Sequence, residues 1–224
     1  MKNEKSKLFK DRVEVNHKGK LKEQIAKIAK ILKKVDGLED KDYILRKILL
    51  NDEVSVQEHK PNHKECIGCS TKKLTEKRIC RCMYYYNTDR KKECKSCKIN
   101  RKWKNVGNIN ITEYEYPTKY VIKNVGGIDL IFDDKYAVEV KPKGSEETLA
   151  RMFAEILTYT IDYKYKPAIC FFEGSKQMRD YRILMDEKNE DLIYICKYIK
   201  VFYFTQKEKD EVIEFTVREI EDNL

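Results

Sequence analysis

Apolar residues recur along the chain in two rhythms, and the changes of rhythm mark out the expected elements. From Leu21 to Val35 the positions Leu21, Ile25, Ile28, Ala29, Ile31, Leu32 and Val35 are three or four apart, which predicts an amphipathic helix. Asp36-Gly37 breaks it, and a second helix is expected from Tyr43 to Leu50. Ile111 to Tyr116 is strand-like. Two apolar runs then flank Asp133-Asp134-Lys135, so Gly127 to Phe132 and Tyr136 to Val140 are expected to form a β-hairpin. After a break at Pro142, with Ser145 as the expected helix cap, Leu149, Met152, Phe153, Ile156, Leu157 and Thr160 return to helical spacing. Lys166 to Glu173 reads as a buried strand, a second amphipathic segment runs from about Lys176 to Tyr198, and strands follow at Val201 to Thr205 and Val212 to Val217. From Tyr120 onward the order β-β-β-α-β-α-β implies an α/β fold.

At 224 residues, 41% hydrophobic and 38% charged, the chain can bury one core domain of ordinary size and carry a small appendage. Its start, MKNEKSKLFKD, has no apolar signal region, and no apolar run is long enough to span a bilayer. A soluble intracellular protein with no membrane partner is therefore expected. In a reducing compartment its eight cysteines are not a disulfide framework. Cys170 and Cys196 lie in apolar patterns and are expected to pack in the core. The other six form the pairs Cys66-x2-Cys69, Cys80-x-Cys82 and Cys94-x2-Cys97, with His59 and His63 just upstream. Such a pair can bite one ion from a tight turn, and two pairs complete a tetrahedral Zn²⁺ site. One zinc on Cys66, Cys69, Cys94 and Cys97 is the economical arrangement. Two zincs would use all six cysteines and both histidines, and an iron–sulfur cluster is the third choice.

Charge sets the same segment apart. Residues 54–105 hold 15 Lys+Arg against 5 Asp+Glu, a balance of +10 in a chain whose net charge is +9. Tyr84, Tyr85, Tyr86 and Trp103 are interleaved with these cations, offering aromatic faces for stacking on bases or for packing around a metal. A polyanionic partner follows, with Arg90, Lys91 and Lys92 as a candidate phosphate-binding cluster.

The candidate chemistry lies in the hairpin, where Asp129, Glu139 and Lys141 have the spacing Asp-x9-Glu-x-Lys. Alternation along a strand points Glu139 and Lys141 to one face and Tyr136, Val138 and Val140 to the other. A carboxylate from each strand then meets one ammonium. Paired carboxylates call for a cation, and a hard ion such as Mg²⁺ or Mn²⁺ suits oxygen ligands. This is equipment for metal-assisted hydrolysis of a phosphodiester.

With these residues the chain resembles the PD-(D/E)xK nuclease superfamily over residues of about 110 to 205. Asp129 stands for the first acid, Glu139 for the second and Lys141 for the lysine, with Gly126-Gly127 before the first acid and no Pro preceding Asp129, a departure from the pattern. Glu155-Ile-Leu-Thr-Tyr159 is similar to the Gln-x-x-x-Tyr of RecB-type members, with Glu replacing Gln. The resemblance implies a restriction-endonuclease-like mixed central sheet flanked by helices. The resemblance leaves the first hundred residues unexplained; with the cysteine and charge pattern it divides the chain into an N-terminal helical part of the core (1–53), a zinc-binding insertion (54–105) and the nuclease core (106–224). It also implies that Asp129, Glu139 and the Val140 carbonyl hold Mg²⁺ and that Lys141 orients the attacking water. Glu155 would bind the ion through water or fix Lys141, and Tyr159 would contact nucleic acid. A further acid is expected on the first core helix, with Glu23, Glu53 and Glu58 as candidates and Glu113 and Glu115 as alternatives. The expected activity is a DNA endonuclease; an RNA-directed nuclease and a non-catalytic nucleic-acid-binding protein are the competing readings. Cutting both strands of a duplex with one site per chain favours a homodimer.

Overall fold

The computed structural model describes residues 21–50, 75–87, 101–103, 109–120, 127–209 and 212–220. Helices α1 (Leu21–Val35), α2 (Lys41–Leu50) and α3 (Glu76–Asn87) precede strands β1 (Arg101–Trp103), β2 (Ile111–Tyr116), β3 (Ile128–Phe132) and β4 (Tyr136–Lys141). Then come α4 (Leu149–Tyr159), β5 (Lys166–Phe172), α5 (Lys176–Asp186), α6 (Glu190–Cys196), β6 (Lys200–Lys209) and β7 (Val212–Glu219). The strands form one mixed sheet in the order β1-β7-β6-β5-β4-β3-β2. Its centre, β4-β5-β6, is parallel, and β2-β3-β4 and β6-β7 are antiparallel.

Local sequence accounts for most boundaries. Gly37 takes a left-handed φ of +74° just past α1, where a side chain would be strained. The hairpin turns at Asp133 and Asp134, both at positive φ (54° and 49°), with Lys135 N–H donating to the Phe132 carbonyl. That is the turn whose twist matches two antiparallel strands. Gly127 lets β3 start against β2, because a Cβ there would sit 2.5 Å from the Tyr116 carbonyl oxygen.

Three boundaries differ from expectation. Thr148, not Ser145, caps α4, its side chain accepting from Arg151 N–H; Ser145 instead accepts from Glu147 N–H in the preceding turn. The single amphipathic segment expected from Lys176 to Tyr198 is two helices, broken at Lys188 (φ 52°) and restarted by Asn189, which accepts from Leu192 N–H. The last two strands are longer than their apolar runs because they pair with each other from Phe202↔Glu219 to Lys209↔Val212.

Strand alternation builds two cores. Ile131, Ala137, Ile169, Phe171 and Val201 face α1, α2, α4, α5 and α6, with Ile28, Leu32, Phe153 and Ile156 fully buried among them. Leu130, Phe132, Val138, Val140, Cys170 and Phe204 face the other way, and α3 covers them with Ile79, Cys80, Met83, Tyr84 and Tyr85. Thus the described parts of the range 54–105 belong to the sheet and its cover: α3 packs on β2, β3 and β4, and β1 pairs with β7. Among the described residues no helix is long and apolar enough to cross a membrane.

Candidate active site

The hairpin strands part at the end that carries the acids. The β3–β4 ladder runs from Phe132↔Tyr136 to Leu130↔Val138, beyond which the Asp129 carboxylate accepts the Val140 N–H at 2.8 Å. Glu139 and Lys141 share the face opposite Val138 and Val140, as alternation requires, and the Lys141 ammonium lies 2.5 Å from Glu139 Oε1. From the start of α3, Glu76 reaches the same point. Carboxylate oxygens of Glu76, Asp129 and Glu139 lie within 4.8 Å of one another, the one such group among the described residues.

The start of α4 closes the site from above. Arg151 and Glu155, four apart, share one face of α4, and Glu147 lies just before its cap, Thr148. Arg151 Nε donates to Glu155 Oε1 at 3.0 Å, and its Nη2 lies 3.5 Å from Glu147. Lys141 Nζ lies 3.1 Å from Glu147, 3.2 Å from Glu76 and 3.6 Å from Glu155. Five carboxylates therefore meet two cations, with Glu139, Lys141 and Glu155 at most 3% exposed.

Burial and the neighbouring Asp129 push the Glu139 carboxyl well above its ordinary range, against the pull of Lys141. Burial alone would lower Lys141, but Glu139, Glu155, Glu76 and Glu147 together hold its ammonium well above its usual value. Burial, with Glu139 and Glu155 nearby, raises the Tyr159 phenol and keeps it neutral. Its buried hydroxyl has no hydrogen-bond partner among the described residues.

The fold thus brings together Asp129, Glu139, Lys141 and Glu155. Val140 contributes its N–H to Asp129 and turns its side chain into the α3 core. Tyr159, expected at the nucleic acid, is 1% exposed and sits beneath the acids, so direct contact with a polymer is closed to it. Glu76, Glu147 and Arg151 were not anticipated. The four-residue spacing of the latter two with Glu155 was a readable signal; Glu76 carried none, since only packing of α3 brings it to the hairpin. Of the acids expected at the extra position, Glu23 is exposed on α1, Glu113 and Glu115 are on β2, and Glu53 and Glu58 lie outside the described residues.

Cys80 and Cys82 do not form the expected tight-turn pair. Both are buried on α3, where residues two apart point about 200° away from each other, and Cys80 packs in the apolar layer under the sheet. The arrangement in which all six cysteines and both histidines close two zinc sites loses that bite. His59, His63, Cys66, Cys69, Cys94 and Cys97 lie outside the described residues, as do Arg90, Lys91 and Lys92.

Fold and site together define an α/β protein with an acid-rich, lysine-containing centre at the C-terminal end of β4. No family model, no curated protein and no solved structure matches the chain.

Proposed function

We propose that the chain is a metal-dependent nuclease that hydrolyses phosphodiester bonds in DNA, on a core of the PD-(D/E)xK kind. The observation that carries this is the meeting of Glu76, Asp129 and Glu139 within 4.8 Å beside the Lys141 ammonium. The donor set fits a hard divalent cation: it is all carboxylate oxygen, it holds more negative than positive charge, and Glu76, whose side chain is 33% exposed, leaves a way in. When bound, Mg²⁺ or Mn²⁺ supplies Lewis-acid polarisation of a phosphoryl oxygen and a more acidic water.

The chain's residues do the rest. Glu76, Asp129 and Glu139 hold the cation, and the Val140 N–H fixes Asp129 for that task. Lys141 orients the nucleophilic water and offsets charge building on the phosphate. Arg151 secures Glu155, which with Glu147 keeps the Lys141 side chain in place. The basic segment around Arg90, Lys91 and Lys92 grips the polymer. Zn²⁺ on Cys66, Cys69, Cys94 and Cys97 belongs to this reading on spacing alone, and two copies of the chain would cut a duplex.

The test is cleavage of labelled DNA and RNA with Mg²⁺, Mn²⁺ or EDTA. DNA should be cut with either ion and spared with EDTA, and Asp129→Asn and Glu139→Gln should each lose at least about a hundredfold in rate, the scale of one essential electrostatic group. Mn²⁺ should also raise the Tm of the wild type but not of Glu76→Gln, because only a binding-competent fold is stabilised by mass action. Metal-independent cleavage, or full activity in both acid variants, would sink the assignment; cleavage of RNA alone would move the substrate.

A further inference from the structure

At the other end of the same helix-covered face the fold opens a cavity of about 360 Å³. Lys166 and Pro167 at its edge pair with Tyr136 and Ala137, whereas Lys141 pairs with Phe171. Five residues of strand put this edge about 16 Å from the Lys141 position, and three put it about 10 Å from that of Glu139, which pairs with Ile169. Its floor is apolar, formed by the buried Leu32, Leu45 and Ile161. Tyr163, Tyr165 and Tyr198 wall it, the first two with rings stacked at 5.3 Å.

The rim is cationic. Lys41, Lys164, Lys166 and Lys197 line it against one acid, Asp42. Lys41 lies over the Tyr198 ring at 4.6 Å, and Lys164 pairs with Asp134 at 3.4 Å on the exposed side. Asp134, which also accepts from the Tyr165 hydroxyl, and Asp36, which accepts from Tyr198, stand just outside the lining.

An apolar floor, aromatic walls and a ring of ammonium groups recognise a molecule with a flat aromatic body and an anionic tail. We propose that this cavity binds a nucleoside phosphate, its base against the tyrosines and its phosphate among Lys41, Lys166 and Lys197. The same chemistry is offered by a free nucleotide and by the terminal nucleotide of a strand. Neither a metal ion nor the proposed hydrolysis is needed for this binding, so the two readings stand or fall separately.

The experiment is calorimetric titration of the full chain in EDTA with dAMP, adenosine, inorganic phosphate and a 5′-phosphorylated single-stranded hexamer. We expect saturable binding of dAMP, at least about tenfold tighter than adenosine or phosphate, since base and phosphate act together. Lys166→Glu with Lys197→Glu, both exposed, should weaken dAMP about tenfold or more while Asp129→Asn leaves it unchanged. Lys41→Gln with Lys197→Gln is the milder pair should the reversal perturb the fold. A hexamer that binds and displaces dAMP identifies a strand end as the source; dAMP binding unaffected by the hexamer identifies a free nucleotide. The proposal is overturned if neither dAMP nor the hexamer saturates at millimolar concentration, if adenosine or phosphate alone equals dAMP, or if both lysine pairs leave affinity unchanged.

Discussion

Lys141 concentrates the electrostatic problem of the site in one side chain. Its ammonium, 3% exposed, is tolerated because Glu139, Glu147 and Glu76 lie at 2.5, 3.1 and 3.2 Å. Removing one partner of a buried pair leaves uncompensated charge, so Lys141→Met should cost about 3–5 kcal/mol, on the order of 10 °C in Tm for a chain of this size. Adding Glu139→Gln should recover part of that loss, because the stranded carboxylate is gone. Thermal melts of the single and double variants check this; a double variant no more stable than Lys141→Met would mean that the pair is not coupled. Cys80 poses a different question. Buried in the α3 layer, it serves packing, so Cys80→Ser should leave bound zinc unchanged and cost about 1–3 kcal/mol for the hydroxyl it buries. Cys66→Ser should lower the zinc content, measured by elemental analysis on both proteins.

At the scale of elements, α3 joins the site to the core. Its first residue is Glu76, and two turns of Ile79, Cys80, Met83 and Tyr84 hold that carboxylate against the hairpin by covering Leu130, Phe132 and Val138. The apolar packing fixes the direction of the acid, so core and chemistry are one property here. Ile79→Ala should destabilise the whole domain by about 2–4 kcal/mol in a single melting transition and lower cleavage by loosening Glu76. Differential scanning calorimetry decides the matter: two transitions, with the larger unmoved, would place α3 in a separately folding module. Helix α4 has the complementary task. Thr148 caps it, and one face, Arg151 and Glu155, meets Glu147 and Lys141, while the other, with Leu149, Met152, Phe153 and Ile156, belongs to the core.

For the whole molecule, the distribution of charge predicts how the proposed DNA substrate would be held. Residues 54–105 carry the entire positive excess, while the candidate active site is locally acidic. Neutralising phosphates releases counterions, so affinity for DNA should fall steeply with salt. Replacing Arg90, Lys91 and Lys92 together by Ala should flatten the slope of log affinity against log salt by roughly two to three units, about one for each phosphate that is no longer neutralised. Fluorescence anisotropy over a salt series measures it, and an unchanged slope would move the grip to another surface.

The one-dimensional pattern determined the parts that depend on neighbours in the chain. The α1 stripe, the hairpin with its Asp133-Asp134 turn, and the shared face of Glu139 and Lys141 all follow from periods of 3.6 and 2 that any isolated segment obeys. Asp129, Glu139 and Lys141 were legible for the same reason, since two neighbouring strands carry them, whereas Glu155 came only from the resemblance of Glu155-x3-Tyr159 to a family motif. Elsewhere local rules competed and the fold chose between them. Ser145 and Thr148 can both cap a helix, and the strands β6 and β7 extend through polar residues because each supplies the other's hydrogen bonds. Glu76 was invisible because its partners Asp129 and Glu139 are more than fifty residues away in the chain. Cys80 and Cys82 read as metal ligands from spacing, and only the packing of α3 on the sheet made Cys80 a core residue, since a thiol's role depends on what surrounds it and not on how far away the next thiol lies.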